Sequence, residues 1–388
     1  MLRRLMAGLA GVAITLTVFA AGVVLVDGHP DRYTVQRGDT LWTISARFLK
    51  KPWLWPEIWQ VNPQVKNPHR IYPGDQLYLG IGSSGPYLGT DRLQPRVRGE
   101  VDGEAIAPLP LSALKPYLKN TRILGKDEVD RAPHVVGIED NRLRGTTGQL
   151  VYVRGLDAQP GKTYAVLRPL GRYYDLPPRS EEQPREVLRH TYDDRDGRAS
   201  LIWHHGPIEN TLRGNVRFLG YELLEFGTLE VTRTGNPSST LVTNSDFEVK
   251  AGDLVLPVED RPYDDSYLPH APARVPDNMR IIALSDAFNA VGTYQVVALS
   301  RGTENGVENG QVYSIYHDGD VVRDRTDYPV GGARAFLHPG DSKIQLPPEF
   351  AGHVMIFKTF NSVSYGLIMD ALKPVTLGDF LYDPDRTP

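Results

Sequence analysis

The spacing of apolar positions changes character three times along the chain. Leu5–Val26 runs for 22 residues without a charge, behind Arg3 and Arg4. A cationic start before an apolar run is the pattern of an export signal. As a helix of about 33 Å the run is also long enough to span a bilayer. Residues 1–28 therefore read either as a secretory signal cut near Val18-Phe19-Ala20 or as an uncleaved anchor. From Tyr33 the pattern is that of a small folded module. Tyr33 and Val35 alternate with polar residues as a short strand. Gly38 turns the chain, and Asp39 or Thr40 suits a helix N-cap. Leu41, Ile44 and Phe48 then share one helical face. Pro56 suits the first turn of a second helix with Ile58 and Val61 inside, and Asn62-Pro63 stops it. Tyr72-Pro73-Gly74-Asp75 turns into a last strand, Gln76–Leu79. The predicted order is strand, helix, helix, strand.

Beyond this module the alternation is that of short strands. Residues 81–97, rich in Gly and Pro, read as a linker. Residues 98–148 read as a small mixed segment, with a short helix over Pro110–Leu118 and a hairpin over His134–Gly145 that turns at Asp140-Asn141. Two blocks then echo each other. Pro160-Gly161-Lys162-Thr163-Tyr164-Ala165-Val166-Leu167 parallels Asn309-Gly310-Gln311-Val312-Tyr313-Ser314-Ile315-Tyr316. Strand-like Gly227–Val231 parallels Gly352–Phe357, and Gly252-Asp253 parallels Gly378-Asp379, each Gly-Asp pair leading into a strand. The expected fold is α+β and multidomain. A small βααβ module is followed by a mainly β region of two repeated barrel or sandwich units, 98–260 and 278–388. A proline-rich linker, 261–277, separates them. Residues 177–214, polar and charged, interrupt the first unit as a long surface loop.

Composition narrows the picture. With 37 Gly and 31 Pro in 388 residues a helical bundle is excluded. A net charge of −4 argues against a nucleic-acid partner. The chain has no cysteine, so disulfides, thiolate metal sites and cysteine nucleophiles are absent. Residues 31–80 carry seven Lys or Arg against four acids, a mild attraction for carboxylate-bearing polymer.

The segment Tyr-x-Val-x-x-Gly-Asp-Thr-Leu-Trp, with Asn-Pro and Ile-Tyr-Pro-Gly-Asp-x-Leu downstream, resembles the LysM domain over residues 33–80. The resemblance implies binding of the N-acetylglucosamine-containing backbone of peptidoglycan or chitin. The sugar groove it implies comprises Gly38, Asp39, Thr40, Leu41, Asn62, Pro63, Ile71, Tyr72 and Pro73. Loop amides and carbonyls would pair with acetamido groups, and Leu41, Ile71 and Tyr72 would offer apolar surface. Trp53, Trp55 and Trp59 lie in Pro-Trp-Leu-Trp-Pro-Glu-Ile-Trp between the helices. They read as a sugar-stacking platform or, the preferred reading, as the core of a larger-loop variant. Six residues, Asp27–Arg32, separate the apolar run from the module and reach about 20 Å when extended. An anchored protein would touch wall polymer only beside the membrane, which favours a cleaved signal.

The whole arrangement also resembles the TsaP family of LysM proteins, associated with the type IV pilus secretin of Gram-negative bacteria, whose C-terminal part is similar to the flagellar protein FlgT. That resemblance implies a periplasmic, non-enzymatic adaptor between peptidoglycan and an outer-membrane secretin, arranged as a ring-like multimer on its partner. A scaffold for a flagellar or other envelope assembly is the alternative. A peptidoglycan hydrolase is the least supported reading. Ser112-Ala113-Leu114-Lys115 matches S-x-x-K, but neither S-D-N nor K-T-G occurs. Gly80-Ile81-Gly82-Ser83-Ser84-Gly85 matches a dinucleotide fingerprint, but Pro86 follows and no helix begins. His204 and His205 are strand neighbours that point apart. Asp193, Asp194 and Asp196 lack the spacing of a calcium loop. No catalytic residue, metal or cofactor is expected.

Overall fold

A computed structural model describes residues 23–60, 71–82, 85–90, 121–157, 159–175, 203–205, 217–259, 267–285, 290–319, 321–328 and 343–386. The chain divides into two compact units, 1–106 and 107–388. The predicted signal up to residue 22, the helix at Pro110–Leu118 and Ser112–Lys115 lie outside the described residues, as does most of the 177–214 segment.

The first unit contains β1 (Arg32–Thr34), α1 (Leu41–Ser45), a 3-10 turn at Pro52–Leu54, α2 (Trp55–Gln60), β2 (Gln76–Gly82) and β3 (Gly85–Thr90). The strands form an antiparallel sheet in the order β1-β2-β3. Thr40 is the N-cap of α1. Its hydroxyl accepts from the Thr43 N–H at 3.1 Å, and Thr43 Oγ1 accepts the Thr40 N–H at 2.9 Å. This satisfies two of the orphan donors of a helix too short to stand alone. Leu41, Ile44, Phe48 and Ile58 are fully buried, as their spacing predicted.

Both expected borders of this unit move outward. The last residues of the apolar run are part of the fold. The Val26 N–H donates to the Phe48 carbonyl at 2.9 Å, the Lys50 N–H to the Val24 carbonyl at 2.9 Å, and Leu25 bridges Leu49. Val23 and Leu25 pack against the core. Asp27–Arg32 is therefore not the spacer. On the other side, the linker expected from residue 81 begins with a strand. β3 pairs with β2, and Leu88 is fully buried. β3 covers an edge of β2 that a linker would leave to water, and it brings Leu88 into the core.

The second unit holds β4 (Thr121–Leu124), α3 (Lys126–Arg131), β5 (His134–Ile138), β6 (Leu150–Arg154), β7 (Thr163–Tyr174), β8 (Trp203–His205), β9 (Phe218–Arg233), β10 (Ser238–Ser245) and β11 (Leu254–Pro257). There follow β12 (Ile281–Ser285), β13 (Ala290–Val291), β14 (Val296–Leu299), β15 (Val312–His317), β16 (Val321–Arg323), β17 (Lys343–Gln345), β18 (Glu349–Thr359), β19 (Ser364–Ala371), β20 (Val375–Thr376) and β21 (Phe380–Tyr382). Six strands run in the order β10-β6-β5-β11-β7-β9, and β10 pairs back with β9, so the sheet closes on itself as an antiparallel barrel. β4 adds to the outside of β9. The second sheet runs β21-β15-β18-β19-β14-β12. It closes where Ile281 N–H donates to the Asp379 carbonyl at 3.0 Å and Leu381 N–H to the Met279 carbonyl at 3.0 Å. The same pair of bonds closes the first barrel, from Val135 to Asp253 and from Val255 to Pro133, both at 2.8 Å. Strand by strand, β5, β6, β7, β9, β10 and β11 correspond to β12, β14, β15, β18, β19 and β21. The Pro160–Leu167 and Asn309–Tyr316 echo thus lands on corresponding strands.

One turn recurs at the strand starts. In Thr146–Gln149, Lys250–Asp253, Gly292–Gln295, Glu308–Gln311 and Thr376–Asp379 the first N–H is accepted by the side chain of the fourth residue, at 2.7–3.1 Å. The third residue has positive φ, from 64° at Tyr294 to 91° at Gly310. Its N–H donates at 2.7–2.8 Å, or 2.9 Å at Gly378, to a carbonyl on a neighbouring strand. This geometry is a type II turn, which explains the glycine before Asp or Gln in four of the five; Tyr294 takes the same place in the other. Asp253 is 1% exposed and is also gripped by both Nε and Nη2 of Arg168 at 2.8 Å. At the matching place His317 contacts Asp379 at 2.7 Å.

Other expectations are revised. The turn residues Asp140 and Asn141 do have positive φ, 55° and 54°, but the partner of β5 is β6, not residues 142–145. The 177–214 segment is not wholly a loop: its β8 adds to the edge of β12, with Ser285 opposite Trp203 and Ala283 opposite His205. The described part of the 261–277 linker is docked, with Tyr267 4% exposed and His270 bridging Gln311. At β12 an open strand edge recruits backbone that composition alone marks as loop.

A buried polar seam joins the two sheets. Tyr173 and Tyr365 place their hydroxyls 3.3 Å apart, Arg301 pairs with Asp175 at 2.8 Å, and Lys358 donates to the Thr121 carbonyl at 3.1 Å. Burial, and next the neighbouring Glu222, pushes both phenols well above the ordinary value near 10. The unfolded chain loses these protons near pH 10 while the fold holds them. Their stabilisation is therefore complete below pH 10 and lost as the pH climbs above it. Tyr365→Phe should blunt the fall in stability above pH 10 in denaturant titrations; an identical fall would remove this assignment. Asp253→Ala should cost about 3 kcal/mol, because it strands a paired Arg168 and an uncapped turn. An unchanged urea midpoint would show that the turn is not what holds β11.

Candidate glycan-binding site

Two copies of the same turn stand side by side in the first unit. In the loop after β1, the Gln36 N–H donates to Asp39 Oδ2 at 2.7 Å and the Asp39 N–H to the Gln36 carbonyl at 3.2 Å. In the loop before β2, the Tyr72 N–H donates to Asp75 Oδ2 at 3.0 Å and the Asp75 N–H to the Tyr72 carbonyl at 3.0 Å. Gly38 and Gly74 take φ of 94° and 93°. Val35 ties the two together: it accepts from the Gly74 N–H at 2.8 Å and donates to the Asp75 carbonyl at 2.9 Å. Tyr33 donates its hydroxyl to Asp39 Oδ2 at 2.8 Å, and the Arg47 guanidinium lies 4.6 Å from the Tyr33 ring centre. Burial, then the Asp39 carboxylate, raises the Tyr33 phenol.

The sequence-predicted residues therefore divide by role. Gly38 is exposed, and Asp39, Tyr72 and Pro73 are half-buried on the loop surface. Thr40, Leu41 and Ile71 are 5%, 0% and 1% exposed. Leu41 and Ile71 belong to the hydrophobic core, so they do not offer apolar surface to a sugar. Their spacing matched the motif because the motif also encodes the core. The Thr40 hydroxyl is occupied as a helix cap. Asn62 and Pro63 lie outside the described residues. Trp53 and Trp55 are 2% and 1% exposed, the core reading of the tryptophan run; nothing is described of the Trp59 side chain. Trp42, the last residue of the Tyr-x-Val-x-x-Gly-Asp-Thr-Leu-Trp motif, is also buried, with its ring 6.3 Å from that of Trp53. Gln36 and Arg37 are exposed on the first loop beside Gly38. Their signal was the polar pair between Val35 and Gly38.

The other motifs do not assemble a site. Gly80, Ile81 and Gly82 lie on β2 and Gly85 on β3, so the glycine run is a hairpin. The Tyr87 ring lies directly over Gly80, so a side chain there would have to displace it. Trp203-His204-His205 is the edge strand β8. Among the described residues no three His, Asp or Glu gather to hold a metal ion. Asp193, Asp194 and Asp196 lie outside them.

Residues 33–80 match the LysM domain family. This segment is a LysM domain. Over 60 residues the chain is 36% identical to the "Uncharacterized protein YqbP" of Bacillus subtilis (strain 168), covering 13% of this chain and 27% of the relative. The chain thus spans about a quarter of that relative's length. LysM domains bind peptidoglycan and other N-acetylglucosamine glycans, so the LysM domain here is a binding domain, not a catalytic one. In it, Asp39 is the brace of the first loop. Asp39→Ala should lower the domain's stability by about 1–2 kcal/mol by removing the acceptor for Gln36 and Tyr33. A thermal midpoint equal to wild type would show that the loop does not depend on it.

Proposed function

We propose that the chain is a non-enzymatic peptidoglycan-binding adaptor of the cell envelope. The observation that carries the reading is the pair of Gly-Asp turns locked together through Val35, which holds two loops rigid before any ligand arrives. Rigid loops with exposed backbone suit acetamido sugars, because little conformational entropy is lost on binding. Within the predicted groove, Gly38, Tyr72 and Pro73 are the residues with surface to give, while Asp39 and Thr40 shape the loop. One shallow site binds weakly, so several copies on one polymer would be needed for a firm hold.

The finer reading is that the two-barrel unit holds an envelope machine, the outer-membrane type IV pilus secretin, from the periplasm. It is supported by the resemblance of the tryptophan-rich LysM segment and the Gly-Asp turns to the TsaP family. A flagellar scaffold is the alternative, resting on the resemblance of the C-terminal part to FlgT. The test uses the full chain. It should co-sediment with purified sacculi, and Tyr72→Ala should weaken that binding about fivefold to tenfold without altering thermal stability. Affinity capture from the native envelope should recover a secretin. Wild-type protein that stays in the supernatant defeats the wall reading; recovery of flagellar ring components instead defeats the secretin reading; soluble muropeptides released from the sacculi defeat the non-enzyme reading.

A further inference from the structure

The two barrels differ at one corresponding edge. In the second barrel, β12 beyond Ile281 is covered by β8, from Ala283 to Ser285. The corresponding edge of the first barrel is β5 beyond Val135, residues 136–138, after which Glu139 enters a 3-10 turn. The correspondence is fixed because Val135 and Ile281 make the same bonds to the turns at Asp253 and Asp379. Among the described residues no strand pairs with that stretch of edge. Val136 is 42% exposed, whereas the residue at its place in the second barrel, Ile282, is 2% exposed.

The covering strand β8 comes from the connection between β7 and β9. The corresponding connection of the second barrel, between β15 and β18, also carries strands, β16 and β17. Among the described residues these pair only with each other. Val322 stands opposite Ile344, and Leu346 follows directly after β17. These three are 38%, 46% and 41% exposed. On the other face Arg323 stands directly opposite Lys343, a like-charge pairing that weakens a ribbon. A two-stranded ribbon in water is marginal without something to pack on.

We propose that this ribbon is the donor for the open β5 edge of a second copy of the chain, repeating between molecules the strand addition that β8 makes within one. Charge agrees with the pairing. β5 runs directly into Glu139 and the exposed Asp140, whose contact with Arg142 is a loose 3.6 Å. These carboxylates meet the Arg323–Lys343 pair, and Val136 meets the apolar face. Donor and acceptor are different surfaces, so the contact is heterologous and joins copies head to tail into a ring or a filament. The proposal does not depend on glycan binding.

Sedimentation equilibrium of the full chain tests it. Wild type should gain mass with concentration. Val136→Lys and Ile344→Lys, both at exposed positions, should each weaken association about tenfold or more while circular dichroism stays unchanged. An equimolar mixture of the two variants should then form a 1:1 dimer and stop there, because only one intact donor and one intact acceptor remain. If either lysine variant fails to fold, Val136→Ser and Ile344→Ser give the same comparison. Wild type that is monomeric throughout, variants that associate like wild type, or a mixture that stays monomeric overturns the proposal.

Discussion

The whole protein depends on one small interaction: a turn whose third residue sits at positive φ and whose fourth side chain accepts the first N–H. It occurs at Gln36–Asp39 and Tyr72–Asp75 in the LysM domain and at Thr146, Lys250, Gly292, Glu308 and Thr376 in the two barrels. The side chain satisfies a donor that the turn would otherwise leave bare, and the left-handed residue turns its own N–H outward. In six of the seven turns that N–H finds a carbonyl on a neighbouring strand or, at Val35, directly after one. Those six therefore start one strand and fasten it to a neighbouring segment, while the Gln36–Asp39 turn leads into α1. In a chain without cysteine such fasteners take the place of covalent staples.

The same device serves two ends. In the LysM domain the two turns are joined through Val35, and the result is a rigid pair of surface loops. In the barrels the turns at Asp253 and Asp379 sit where each sheet closes, and both carboxylates are nearly inaccessible, at 1% and 2%. The partners differ: a permanently charged Arg168 in one barrel, His317 in the other. Between the barrels, the lent strand β8 and the polar seam of Tyr173, Tyr365, Arg301 and Lys358 tie the two sheets together. Buried polar groups of this kind fix one relative arrangement, because any slip leaves them unpaired.

Much of this was legible. The order strand, helix, helix, strand, the inward face of Leu41, Ile44 and Phe48, and the pairing of the two repeat blocks all follow from local signals. Local signals fail at edges. Residues 81–97 looked like linker, yet Leu88 is buried; 177–214 looked like a loop, yet it donates β8; 261–277 looked like a spacer, yet Tyr267 is buried. The candidate sugar site was half legible for a related reason. A motif residue is kept either for its surface or for its place in the core, and sequence does not separate Tyr72 from Ile71.

By itself the sequence determined the elements that short-range chemistry controls: glycine where φ must be positive, Asp or Gln where a turn donor needs an acceptor, apolar residues at the period of their element. Tertiary structure decided which open edge each spare strand covers, which tryptophans vanish into the core, and which loop residues face water. Those outcomes rest on contacts between residues far apart in the chain. Nothing in a local window encodes them, since the free energy of an unpaired strand edge is lowered by whichever backbone reaches it.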